Sequence, residues 1–346
     1  MKKRTLALLM TAAMTAATLS GCGGTDSAAG NSTTEGKVYK VGIVQFVDDA
    51  SLNQIESAIE KELDAKAAEL GVTFNYSDYT YNGQADSTTL NQIASELIAS
   101  EVDVIVPIAT PAAMIMQNAT EDNQIPVVFS AVSDPEGSGL VASLNAPGSN
   151  ITGTSDALNT EAVMDLIFAA NPGIKKLGLL YSKSEDSSKV PVETAKAYCA
   201  ARGVEVVEKT GTTNDEVSLA ADALIASGVE AVFTPTDNTV MTAELAIYEK
   251  FIDAGVPHYG GADSFALNGA FLGYGVNYEE LGTATADMVV EILVNGAKPA
   301  STAVVMLDNG IATVNTETAQ AIGLDYSMFA DMCDELKEIT TAEEFE

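Results

Sequence analysis

The feature that most constrains this 346-residue chain is that its second half repeats the order of its first. Lys40-Val41-Gly42-Ile43-Val44 is echoed by Lys176-Leu177-Gly178-Leu179-Leu180, and Leu97-Ile98-Ala99-Ser100 recurs unchanged as Leu224-Ile225-Ala226-Ser227. A valine–acid pair follows each copy, Val102-Asp103 and Val229-Glu230, and then Ile125-Pro126 or Val256-Pro257 introduces the next apolar run. One echo arises easily by chance in Ala- and Val-rich sequence. Four in the same order imply two similar units.

Within each unit, short Val- and Ile-rich runs alternate with amphipathic stretches. In the first, a strand over 39–46 precedes a helix with the capping box Ser51-Leu52-Asn53-Gln54, Ile55, Ile59, Leu63 and Ala67 on one face, and Gly71 at its end. Strands over 72–76, 103–108 and 126–131 follow, with helices near 88–100 and from Thr110-Pro111. Such alternation specifies a parallel sheet covered by helices. The expected fold class is therefore α/β, two doubly wound parallel-sheet lobes joined by a hinge and meeting near Gly153 to Asp156. Lobe 1 is expected from 37–154 plus 277–298, lobe 2 from 155–276 plus 299–336, and an acidic tail over 337–346.

Lys2, Lys3 and Arg4 precede an apolar stretch, Leu6 to Leu19, that is too short and too interrupted by Thr to span a bilayer, the pattern of a signal peptide over 1–21. It ends in Leu19-Ser20-Gly21-Cys22, which resembles the lipobox of bacterial lipoproteins and implies a lipid on Cys22. Residues 22–36 are small and polar and read as a flexible tether. The expected location is extracytoplasmic, lipid-anchored to the cell membrane. With three basic residues lost alongside 1–21, 14 Lys and Arg face 49 Asp and Glu, a balance of −35. No basic face is left for nucleic acid. One histidine and three cysteines make no metal cluster at ligand spacing. Cys199 is expected on a helix and Cys333 in a C-terminal helix, as free thiols or, outside the cell, as a bridge.

In doubly wound sheets the loops at the carboxyl ends of the strands form the ligand crevice, and two facing lobes make a cleft. Those loops supply Gln45 and Phe46, Thr110 and Pro111, Ser133 and Asp134, Ser184, Thr236 and Asn238, Asp263, and Tyr278. Thr110 reads as an N-cap with Pro111 at the first helical position, leaving backbone N–H groups for a carboxylate. Asp134 and Asp263 are candidate counter-ions for an ammonium, and Phe46, Phe265 or Tyr278 for its side chain. An enzyme is harder to build. His258 lies in a strand with no second histidine, and neither a Walker loop nor a nucleophile elbow occurs. Gly137-Ser138-Gly139-Leu140-Val141-Ala142 matches a dinucleotide fingerprint with Asp156 about where the ribose acid would fall. Its context is wrong, because Pro147-Gly148 truncates the helix it should open. No cofactor is expected.

Asn91-Gln92-Ile93-Ala94, Ile108 to Ala113, Pro126 to Phe129 with Val132 to Pro135, Asn150 to Gly153, Pro235 to Val240, and Tyr274 to Gly282 together resemble the tryptophan/tyrosine-type family of ABC-transporter substrate-binding proteins. The resemblance covers about residues 38–335. It implies a bilobed, type I periplasmic-binding-protein fold that closes over an amino acid, often an aromatic one. It also implies a monomer whose partners are a small solute, an ABC permease with its ATPase, and the membrane through the lipid anchor. A ligand-sensing subunit for a signalling partner and a secreted enzyme on the same scaffold are the alternatives. Members often carry a His near the first loop, where this chain has Val47-Asp48-Asp49-Ala50, and an Asn-rich loop where this chain has Ser182 to Asp186. Cys22→Ala is expected to release the protein from membranes with ligand binding intact, checked by fractionation and calorimetry; unchanged membrane association would remove the lipoprotein reading.

Overall fold

The computed structural model describes residues 36–345; the signal segment, Cys22 and most of the tether lie outside the described residues. In chain order the first part comprises β1 (Val38–Gln45), α1 (Ala50–Leu70), β2 (Thr73–Asn75), β3 (Thr80–Asn82), α2 (Ser87–Ala99), β4 (Val104–Ile108), α3 (Thr110–Thr120), β5 (Val127–Phe129) and β6 (Ile151–Ser155). The second comprises α4 (Thr160–Ala170), β7 (Lys176–Tyr181), α5 (Lys189–Arg202), β8 (Glu205–Thr210), α6 (Asn214–Ala226), β9 (Ala231–Thr234), α7 (Asn238–Met241), α8 (Glu244–Ala254), β10 (His258–Gly260), α9 (Asp263–Leu267) and β11 (Leu272–Gly275). The chain then returns with α10 (Tyr278–Leu293), β12 (Val305–Met306), β13 (Ile311–Asn315), α11 (Thr316–Ile322) and β14 (Glu335–Ile339).

Two seven-stranded sheets result. One has the order β12-β6-β5-β4-β1-β2, with β3 also on β1, and the other β14-β13-β11-β10-β9-β7-β8. Ladders are parallel except β11–β13. With β2 and β3, which pair with successive parts of β1, counted as one position, the leading strands of the two lobes have the same 2-1-3-4-5 order, a doubly wound sheet whose switch point lies between the first and third positions. This is a type I periplasmic-binding-protein-like fold.

The sequence echoes mark equivalent contacts. A Cβ on Gly42 would come within 2.9 Å of Leu97, and one on Gly178 within 3.2 Å of Leu224, so glycine in the strand lets a helix leucine settle onto the sheet. Lys40 donates from Nζ to the Ser100 carbonyl at the end of α2 (2.7 Å), and Lys176 to the Ser227 carbonyl at the end of α6 (3.1 Å). A cation there satisfies a free carbonyl and opposes the negative end of the helix dipole. Asp103 and Glu230 accept from the backbone N–H of Lys40 and Lys176.

Four expectations need correction. Asp49, not Ser51, caps α1: its Oδ1 accepts from the N–H of Ser51 (2.9 Å) and Leu52 (3.4 Å), the stronger acceptor at a helix N-terminus being a carboxylate. Within the span 299–336 given to lobe 2, Val305–Met306 pairs with β6 of the first sheet; two exposed residues leave no periodic signal. Residues 335–339 of the expected tail and its approach form a strand on β13, and Cys333 lies in the turn before it rather than in a helix. The backbone of this strand is satisfied by the ladder, while its side chains, three of the five charged, are exposed or half-buried, as on a sheet edge. Cys199 and Cys333 are free thiols. Among the described residues no helix is long and apolar enough to cross a membrane.

The chain passes between the sheets at 156–159, 276–277 and 307–310. These passages are stitched together: Asn309 donates to the Ala157 carbonyl (2.6 Å), the Asn159 N–H to Asn309 (3.2 Å), and the Gly310 N–H to the Gly275 carbonyl (3.2 Å). Beside them α10 packs on α1 so closely that a Cβ on Gly282 would lie 2.5 Å from the Ile55 carbonyl oxygen and 2.7 Å from the Ala58 Cβ. Backbone cannot yield as a side chain can. Although Ala gains about 1 kcal/mol over Gly in helix propensity, overpacking costs about 1–3 kcal/mol. Gly282→Ala should therefore lower the urea midpoint; a variant more stable than wild type would contradict the close crossing.

Candidate functional site

One narrow cavity, about 10 Å³, lies where the strand ends of the two sheets face each other. Ser51 and Leu52 reach it after β1, Ala109 and Thr110 after β4, Ala131 and Ser133 after β5, and Asp156 after β6. From the other lobe come Ser187 after β7 and Thr236, Asn238 and Met241 after β9, with Tyr278 at the start of α10. Thus both switch points open on the same space.

Asp156 dominates its electrostatics. It sits on the first passage between the lobes, only 4% exposed, and Oδ1 accepts from the Ser133 hydroxyl at 2.9 Å. Burial pushes its carboxyl up to about 6, and the Ser133 bond opposes that rise. Among the described residues no cationic side chain forms an ion pair with it. Two hydroxyls lining the same cavity, Thr110 Oγ1 and Ser187 Oγ, are buried without a hydrogen-bond partner. Such orphans are uncommon in folded proteins and point to groups held ready for a polar ligand.

The backbone is also held out of its ordinary range here. Ala109 (φ 79°) and Ala131 (φ 54°) occupy positive φ without being glycine, and both line the cavity. Each such residue costs on the order of 1–3 kcal/mol, so surrounding contacts must hold it in place. The Ala109 N–H donates to the Ser130 carbonyl (3.0 Å), fixing Ala109 as the residue that precedes α3. Thr110 is consequently not the N-cap, as expected, but the first helical residue, and Pro111 the second. That shift frees the Thr110 hydroxyl.

On the opposite wall, Asn238 donates to Glu185 Oε2 (3.1 Å) and Thr236 to the Gly261 carbonyl (3.0 Å). Asp237, beneath them, accepts from the Ser182 N–H (2.7 Å), the Ser188 hydroxyl (2.6 Å) and the Val240 N–H (3.1 Å). Burial first, and then the charge of Asp237, push Glu185 up to about 8.

Of the residues expected from sequence, Thr110, Ser133, Thr236, Asn238 and Tyr278 surround the cavity. The others are employed elsewhere. Gln45 bonds Asn53 (2.6 Å) and Asn82 (3.1 Å) within its own lobe, and Phe46 is in the core. Pro111 is half-buried outside the lining. Asp134 accepts from the Gly137 N–H (2.8 Å), closing its own turn, and opens on a neighbouring 280 Å³ pocket with Pro135 and Leu158. Ser184 is exposed and bonded to Ser182 (2.7 Å), leaving Ser187 of the same loop to face inward. Asp263 accepts from Ser51 Oγ (2.6 Å) and Gln54 Nε2 (3.1 Å) of the other lobe. Phe265 is fully buried against His258, whose Nδ1 faces Glu244 (3.0 Å) and Nε2 Thr234 (2.8 Å). Asp156 and Ser187 were missed as cavity residues. For Asp156 the available signal was its place just after the last strand of the first unit.

Two lobes with their strand ends facing across a polar cavity are the architecture of the type I periplasmic-binding-protein-like fold. Residues 40–328 match the profile of the family described as ABC transporter substrate binding protein, and the chain belongs to that family. A "Tyrosine-binding protein" of Clostridioides difficile is 31% identical over 326 residues, 93% of each chain. An ABC domain from Streptococcus pneumonia in complex with L-Trp is 31% identical, covers 87% of this chain and all of its own, and superposes with a TM-score of 0.80. The ligand-free, open structure of a substrate-binding protein with adhesive properties from Clostridium difficile, also 31% identical over 88% of this chain and all of its own, gives 0.66.

Removing the buried charge problem on the far wall gives a direct test. An acid whose pKa is raised in the folded state disfavours that state increasingly as pH rises from its unfolded value to its folded one. Glu185→Gln should therefore melt above wild type at pH 8 and lose that advantage towards pH 5; a pH-independent difference would contradict the assignment.

Proposed function

We propose that this protein captures an amino acid with an aromatic side chain between its lobes and delivers it to an ABC permease and its ATPase, outside the cytoplasm and held to the membrane through a lipid on Cys22. One observation carries the ligand class: Asp156 is a buried carboxylate on the cavity that forms no ion pair with a cationic side chain among the described residues. An α-ammonium supplies the missing charge in a charge-assisted bond worth roughly 1.5–3 kcal/mol. The α-carboxylate goes to the unpartnered Thr110 hydroxyl and the N-terminus of α3, where helix dipole and free N–H groups favour an anion. Asn238, Thr236 and Ser187 approach from the second lobe, with the Tyr278 ring, Leu52 and Met241 as apolar surface.

The cavity at about 10 Å³ is smaller than any amino acid, so a ligand enters only when the lobes part. The higher similarity to the L-Trp complex (0.80) than to the ligand-free open relative (0.66), at the same identity, supports reading this arrangement as closed. The aromatic preference is supported by the tyrosine-binding relative and by that complex.

Binding an ammonium requires ionised Asp156. Because burial sets its free carboxyl at about 6, affinity should be full above neutrality and fall by about tenfold per pH unit below 6. At pH 7.5, Asp156→Asn should weaken L-tyrosine or L-tryptophan by about tenfold or more while affecting the des-amino analogue far less. Calorimetry checks both. Equal losses for acid and analogue, or an affinity flat through pH 6, would strike Asp156 from the site.

A further inference from the structure

Asp263 was a candidate ligand residue by sequence, yet it spans the boundary between the lobes away from the cavity lining. It opens α9 of the second lobe and accepts from Ser51 Oγ at 2.6 Å and Gln54 Nε2 at 3.1 Å, both in the first turns of α1. The Ser51 hydroxyl is used twice, since it also accepts from the Ser264 N–H at 3.1 Å. Ser51 and Ser264 are 1% exposed, while Asp263 and Gln54 are half-buried at the edge of the contact.

The adjoining turn of α1 is held from the same lobe by the C-terminal segment. Asn268 donates to the Ala342 carbonyl (2.9 Å), the Ala342 N–H to the Leu267 carbonyl (2.9 Å), and Asn53 of α1 to Glu344 (3.0 Å). Ser51 and Leu52 of that helix reach the cavity. A contact that fixes α1 against α9 therefore fixes one wall of the site relative to the other.

We propose that Asp263 is a positioning residue, a latch that sets the closed population through Ser51 and Gln54 without touching the ligand. The proposal rests on the two-lobed capture reading and adds that affinity is tuned at a second contact. A protein can raise ligand residence by stabilising its closed form, since the ligand leaves only from the open one. The latch has a built-in opposing force. Asp49, the cap of α1, lies near Asp263 across the lobe boundary, and burial first, with the charge of Asp263 adding to it and backbone bonds from Ser51 and Leu52 opposing it, leaves its carboxyl at about 7. Asparagine at 263 keeps an acceptor for the Ser51 hydroxyl and removes the like charge; alanine removes both.

The test compares Asp263→Ala and Asp263→Asn in the full chain by the distance between spin labels on exposed Asp64 of α1 and Glu249 of α8, without ligand, and by the dissociation rate of L-tyrosine. Asp263→Ala is expected to shift the distances outward and to speed dissociation by about three- to tenfold, the worth of one or two hydrogen bonds. Its preference for L-tyrosine over the des-amino analogue should be unchanged. Asp263→Asn should keep wild-type distances and a wild-type or slower rate. Wild-type distances in Asp263→Ala would overturn the latch, as would an Asn variant as open as the Ala variant. A lost preference for the amino acid would return Asp263 to the ligand site. Should L-tyrosine fail to bind wild type, the capture reading fails, while the ligand-free distances still decide the latch.

Discussion

A carboxylate buried without a cation is among the least favourable things a folded chain can contain, and the arrangement around Asp156 follows from that constraint. The charged form loses its hydration on burial, and one hydroxyl bond from Ser133 recovers only part of it. Such a group persists where something supplies the opposite charge. Among the described residues no cationic side chain forms an ion pair with Asp156, and the proposed ligand ammonium would supply that charge. Asp156 also lies on the first passage between the lobes, so a cation bound there is held at the hinge itself. Charge recognition and lobe geometry are thereby joined in one residue.

The two lobes bring different chemistry to the common space. The first contributes strained alanines, the Thr110 hydroxyl and the end of α3; the second contributes Asn238, Thr236 and Ser187 over the Glu185–Asp237 pair. Burial raises both carboxyls of that pair, and Asp237 is satisfied by three donors. The buried acids of the second wall are accordingly self-contained. Asp156 is the acid that lines the cavity itself.

The sequence reached the fold for a physical reason. The glycine–leucine and lysine–carbonyl contacts of β1 with α2 and of β7 with α6 need particular residues at particular places, so the duplication left readable echoes. Strand–loop–helix order then led to loops that line the cavity between the sheets. Within loops the reading weakened. Asp134 and Asp156 both follow strands, but only the three-dimensional course of the chain decides that the first accepts from its own turn and the second faces the cavity. Ser184 and Ser187 differ in the same way, by three residues along one loop. Edge strands β12 and β14 went unseen because pairing, not side-chain burial, defines them.

The most direct test is the titration of the Asp156 carboxyl itself, followed by carbon-13 NMR of aspartate-labelled protein with and without L-tyrosine. The account predicts a midpoint at about 6 in the free protein. In the complex it should move down by more than about one pH unit, the signature of roughly 1.4 kcal/mol or more of attraction to a neighbouring cation. A midpoint that stays where it was when ligand saturates the protein would contradict the claim that Asp156 holds the ammonium.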